Sequence, residues 1–322
     1  MITISLCMIV KNEEKNLERC LSSYAPLMDE ISVVDTGSTD KTKEIASRFT
    51  GKIYDFEWIN DFSAARNFAF SKAGCDYIFS ADADEVLDKE NREQFALLKE
   101  ILDPEIEIVQ MQYKNQLHHG TIYNFDCELR PKLFKRLRTF TWIEPIHETV
   151  RTLPVVFDSD IAITHMPENV HTKRDLAAFE RMVCKNMPIS SRLHNIYAKE
   201  LFVSGDDEDF KKAILFFENS LLDENRAEDE KLEAVCVLAK AYRILKNGAK
   251  FAKYALLSNY GLSSELCCEI AAYFYENGEY EEAMKWYDAA QNQTLPVLNI
   301  EYGKTVPSEG IESCKTKISE NK

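Results

Sequence analysis

At 322 residues, 45% hydrophobic and 29% charged, the chain has the balance of a folded protein long enough for two domains rather than a disordered one. Its net charge of −15 excludes a general nucleic-acid binder, because affinity for a phosphate backbone needs concentrated Lys and Arg. Nine cysteines, an odd number with no Cys-x-x-Cys pair, supply neither a zinc cage nor an evident disulfide framework, so a reducing, cytoplasmic compartment is expected.

The apolar start, residues 2–10, is too short for a membrane span and lacks a basic leader, and no basic amphipathic helix follows, so stable membrane insertion is not expected. It reads as a strand buried on both faces. Residues 16–24 predict a helix, 30–34 a second strand, and 39–49 a helix opened by a polar cap cluster. A third strand at 52–56, a helix at 63–72 and a strand at 77–80 follow, the last delivering the chain into Asp82. This alternation predicts an α/β layer domain over residues 1–170.

From about residue 172 long helical patterns take over. Phe210, Ala213, Phe217 and Ser220 recur as Tyr280, Ala283, Tyr287 and Ala290, each 70 residues on, about twice the 34-residue tetratricopeptide period. A looser middle unit falls at residues 239–260. The expectation is an all-α tetratricopeptide-like array of about three helix pairs over residues 171–295, then a cap with a frayed tail over 296–322. Residues 200–300 hold 19 Asp or Glu against 10 Lys or Arg. Such a surplus serves either a solvated outer face or a groove that holds a basic peptide or joins two copies as a homodimer.

Four polar clusters carry the chemistry. Asp82-Ala83-Asp84-Glu85 follows an apolar strand, where two carboxylates can hold a hard divalent cation against a diphosphate. Asp-x-Asp alone is also a common solvated acidic loop. Asp35 ends the second strand ahead of Thr36-Gly37-Ser38-Thr39-Asp40; it is placed to meet a base or ribose, while Ser38, Thr39 or Asp40 caps the next helix. The first strand runs into Lys11-Asn12-Glu13-Glu14. Arg66, within Asp61-Phe62-Ser63-Ala64-Ala65-Arg66-Asn67, offers a planar fork to a phosphate or to a surface carboxylate. A basic stretch, Arg130, Lys132, Lys135, Arg136 and Arg138, reads first as an outward face of a strand or loop. His118-His119 has no partner pattern.

In order and spacing these segments resemble the family 2 inverting glycosyltransferases of the GT-A fold, over about residues 3–170. The Asp61–Asn67 and Asp82–Glu85 segments look like the subgroup of lipopolysaccharide-core glucosyltransferases and of tetratricopeptide-bearing enzymes that glycosylate bacteriocin peptides. The resemblance implies a GT-A nucleotide-diphospho-sugar transferase domain and a UDP-sugar donor with Mn²⁺ or Mg²⁺. It implies Asn12 and Glu13 lining the base pocket, Asp35 at uracil or ribose, and Arg66 near the diphosphate. Asp82 and Asp84 would flank ribose and metal, with His165 as a further metal or phosphate ligand. Trp142-Ile143-Glu144-Pro145-Ile146-His147-Glu148 is similar to the family's acceptor segment, which makes Glu148 the first candidate base and His147 the second. Arg130 to Phe134 is similar to a family segment beside the active site, which implies contact with a diphosphate or an acidic acceptor. The implied reaction moves a hexose or N-acetylhexosamine to a peptide, protein or glycan. The rival readings are a sugar nucleotidyltransferase, whose glycine-rich loop residues 10–14 lack, and a non-catalytic nucleotide-sugar-binding repeat scaffold.

Overall fold

The computed structural model describes residues 1–114, 127–136, 141–147, 149–151, 155–166, 172–257 and 260–320. The chain separates into two compact units, one comprising residues 1–120 and 125–170, the other residues 121–124 and 171–322.

The first unit opens with β1 (Ile4–Val10), almost wholly buried because strands lie on both sides of it. β2 (Glu30–Asp35) and β4 (Tyr77–Ala81) flank it in parallel, and β3 (Ile53–Asp55) pairs parallel with β2. Between them run α1 (Leu17–Tyr24), α2 (Thr42–Ser47) and α3 (Phe62–Phe70). The chain then continues through β5 (Glu85–Val86), α4 (Lys89–Ile101), β6 (Ile108–Lys114), β7 (Glu128–Lys135) and β10 (Val156–His165). β8 (Thr141–Ile143) and β9 (Thr149–Arg151) form a separate antiparallel ribbon.

The eight-stranded sheet has the order β3-β2-β1-β4-β7-β6-β10-β5. The chain winds outward from β1 to β3 and then returns to β4 on the other side of β1. That reversal makes the crevice beyond the carboxyl ends of β1 and β4 the topological switch point, where ligands of open α/β sheets bind. Side chains alternate across the sheet. Ile4, Leu6 and Met8 pack with Leu17, Leu21, Tyr24 and Phe95 on one face, while Cys7, Val34 and Ile78 pack with Phe70, Phe134 and Trp142 on the other.

The second unit is a tetratricopeptide-like array of helices: α5 (Thr172–Cys184), α6 (Ser191–Ser204), α7 (Asp207–Leu222), α8 (Glu228–Ile244), α9 (Gly248–Ala255), α10 (Ser264–Glu276), α11 (Tyr280–Asn292) and α12 (Thr305–Glu320). α6, α8 and α10 begin at 191, 228 and 264, close to a tetratricopeptide spacing. They pack side by side, α6 on α8 and α8 on α10. Most of the repeated residues are inward ones: Phe210, Ala213, Phe217 and Ser220 on α7, and Ala283, Tyr287 and Ala290 on α11, while Tyr280 is only half-buried. α7 meets α6 through rings, with Phe202–Phe210 and Tyr197–Phe217 centroids 5.5 and 5.3 Å apart. Among the described residues no helix is long and apolar enough to cross a membrane.

The segment expected to form a cap with a frayed tail contains α12, which packs on α11. Its Gly310 explains why periodicity was hard to see there. A Cβ at this position would lie 2.5 Å from the Tyr287 ring, so the glycine is what lets the two helices approach. In an exposed helix Gly→Ala stabilises by roughly 0.5–1 kcal/mol. Gly310→Ala is expected to have the opposite sign, a loss of about 1–3 kcal/mol from overpacking. Denaturant unfolding of the two proteins measures this, and a stabilised variant would show that α11 and α12 do not pack this closely.

Candidate active site

The loops after β1 and β2 are stitched into one surface. The Asn12 amide donates to Ser38 Oγ at 3.0 Å, and Asn12 Oδ1 accepts from the Thr39 amide at 2.8 Å. The Glu13 amide donates to Thr42 Oγ1, the Glu14 amide to Asp40, and the Lys41 amide to Glu14. Asn12 adopts φ 55°, a left-handed conformation that Asn tolerates better than most residues. Asp35, only 1% exposed, accepts from the amides of Gly37 and Ser38, so its carboxylate is engaged by its own turn. Burial, helped by the nearby charges of Asp84 and Asp82, pushes the Glu13 carboxyl up despite a hydrogen bond from Asn16.

α3 carries its motif as a set of anchors. Asp61 caps the helix by accepting from the Ala64 amide, and the Phe62 amide donates to the Pro145 carbonyl. Asn67 donates from Nδ2 to the Trp142 carbonyl at 3.0 Å and accepts from the Trp142 amide at 2.8 Å. Arg66 lies 4.9 Å from the Trp142 ring centroid. It donates to Ser80 Oγ at 3.1 Å and to Asp82 Oδ1 at 2.7 Å. Burial works against the Asp82 anion, yet the charges of Arg66 and Lys132 outweigh it and hold the carboxyl well below the usual range.

β5 pairs antiparallel with β10, with His165 opposite Glu85, and this register brings His165 to the acidic turn. His165 Nε2 and Asp84 Oδ2 share a hydrogen bond of 3.0 Å, and the His165 ring packs 5.3 Å from Tyr113. Of the three expected metal ligands, then, Asp84 and His165 touch while Asp82 faces Arg66. Glu85 is fully buried; it accepts from the Asp82 amide at 3.2 Å and from Lys132 Nζ. Burial raises its carboxyl, and Lys132 opposes that rise.

Lys132, read first as part of an outward basic face, is 6% exposed and turned inward. No local signal marked it, because β7 mixes charged with apolar residues and Glu85 lies 47 positions away. Arg130 stacks on Tyr113 at 3.9 Å, and Arg136 donates to the Cys75 carbonyl, so the stretch does not present one common face. His147 is half-buried with φ 46°. Glu148, the first candidate base, lies outside the described residues, as do His118, His119 and Arg138.

Residues 5–159, which hold the switch-point crevice and the acidic turn, match the model of glycosyl transferase family 2. This segment is a family 2 glycosyltransferase domain. Among curated proteins, the SPbeta prophage-derived glycosyltransferase SunS of Bacillus subtilis is 27% identical over 247 residues, 71% of this chain and 56% of that protein. A TPR repeat-containing protein of Synechococcus elongatus is 48% identical over 87 residues, 27% of this chain and 22% of that protein. The chain thus spans little more than half, or less, of these curated relatives. Glucosyl-3-phosphoglycerate synthase from Mycobacterium tuberculosis, solved with Mn²⁺, uridine-diphosphate and phosphoglyceric acid, aligns with a TM-score of 0.43 at 15% identity. That alignment covers 59% of this chain and 81% of the solved one.

The family 2 domain yields a pH prediction. The folded Asp82 carboxyl is held below its unfolded value, about 3.9, so its stabilisation is present above about pH 4 and is lost as pH falls further. Arg66→Met removes the principal cause. The stability gap between wild type and Arg66→Met should therefore be widest near neutrality and shrink below about pH 4. Unfolding at several pH values tests this; a gap independent of pH would mean the Arg66–Asp82 pair does not operate.

Proposed function

We propose that the family 2 domain transfers a hexose or N-acetylhexosamine from a UDP-sugar to a peptide, protein or glycan acceptor, with inversion at the anomeric carbon. The observation that carries this reading is the gathering of Arg66, Asp82, Asp84 and His165 at the switch-point crevice, a cation beside carboxylates and an imidazole. Two carboxylates and one imidazole form a donor set suited to Mn²⁺, and the carboxylates alone suit Mg²⁺. When bound, such an ion neutralises the diphosphate as it leaves.

The chain's own residues do the rest. Asn12 and Glu13, with the turn held by Asp35, shape the pocket for uracil and ribose. Arg66 approaches the diphosphate with its planar fork. Glu148, or His147 in its place, takes the proton of the acceptor. The acceptor oxygen then bonds to the anomeric carbon as the bond to the diphosphate breaks, and UDP departs. The helical unit selects or presents the acceptor and is a candidate surface for pairing two copies. All nine thiols are free, which suits a reducing cytoplasm.

Asp84→Ala is expected to lower Mn²⁺-stimulated turnover by about a hundredfold or more with the fold intact. Circular dichroism and release of UDP from UDP-sugars in the presence of acceptor check both parts. Wild-type activity in this variant would remove the metal site from the account. Glu148→Gln should keep UDP-sugar affinity while losing at least about a hundredfold in turnover. If His147→Ala shows that pattern and Glu148→Gln does not, the base is His147.

A further inference from the structure

The buried pair Lys132–Glu85 has no part in the chemistry above, yet it lies directly behind it. Glu85 is fixed in three ways. Its backbone pairs with His165 across β5 and β10, its carboxylate accepts from the Asp82 amide, and the same carboxylate binds Lys132 Nζ. Lys132 comes from β7, two sheet positions away from β10.

The way β7 presents this lysine is itself unusual. Its pairing with β6 passes from Val109↔Leu133 to Gln110↔Pro131, so Lys132 falls in the shift of register. Pro131 has no amide to donate to the ladder, and bulges characteristically re-aim a side chain. The re-aimed lysine runs 5.2 Å from the Tyr113 ring centroid, and the same ring packs against His165.

The geometry points to Lys132 as a positioning residue: through Glu85 it tethers the Asp82–Glu85 turn to β7 and so sets the spacing of Asp82, Asp84 and His165 for a divalent cation. This rests on the proposed donor site. Neither Lys132 nor Glu85 touches the cation; both act through the backbone of the turn. Partners that orient metal ligands in this way commonly contribute about 10–100-fold to metal affinity.

The test uses the full chain, Mn²⁺ as probe in the presence of UDP, and amide hydrogen exchange of the metal-free protein. Lys132→Met leaves Glu85 buried without its cation, so the double variant Lys132→Met/Glu85→Gln, which removes both charges, guards against simple unfolding. Each variant that folds is expected to bind Mn²⁺ about tenfold or more weakly. Each should also exchange the amides of residues 82–86 faster, with the rest of the sheet unchanged. Wild-type Mn²⁺ affinity in either folded variant overturns the inference, as does unchanged exchange at residues 82–86. If the wild-type chain binds neither Mn²⁺ nor UDP, it is the donor-site reading that fails, and exchange alone then decides whether Lys132 tethers the turn.

Discussion

Like charges crowd the end of β4, and the first unit is organised around keeping them there. Glu13, Asp82, Asp84 and Glu85 meet at the switch-point crevice, where burial and then the charges of Asp82 and Asp84 make ionisation of Glu13 and of Glu85 more costly. The counterweights come from elements distant in sequence: Arg66 from α3 and Lys132 from β7. A sheet in which β4 lies between β1 and β7 is what allows cations from those places to reach one turn.

The parts of this arrangement that are local in sequence were legible, and the parts that depend on distant pairing were not. β1, β2 and β4 announce themselves as apolar runs ending in polar residues, because central strands are buried on both faces. α2 is shorter than its pattern suggested, Thr42–Ser47 against 39–49, and the Thr39 and Lys41 amides ahead of it bond to Asn12 and Glu14. β7 and β10 join the sheet through long-range pairing, which leaves little trace in a window of ten residues. Lys132 was read outward because, within a run of Arg and Lys, nothing local marks the Glu85 that neutralises it 47 positions away.

In the helical unit the 70-residue recurrence identified the inward faces of α7 and α11 because packing against a neighbouring helix repeats with the fold. It could not identify α12, where contact relies on a missing side chain at Gly310 rather than a present one. Small residues that permit close approach leave no hydrophobic period.

The reciprocal hydrogen bonds between Asn67 and Trp142 have a consequence for how the domain tolerates change. A carboxamide that both donates to and accepts from one residue's backbone imitates the edge of a neighbouring strand, so β8 is paired on that side by a side chain. Aspartate has the same outline but, once ionised, can only accept. Spontaneous loss of one amide nitrogen from Asn67 would leave the shape of the joint intact while reversing the polarity of half of it. Chemical ageing at a single atom can thus loosen the hold of α3 on the β8–β9 ribbon without disturbing the apolar core.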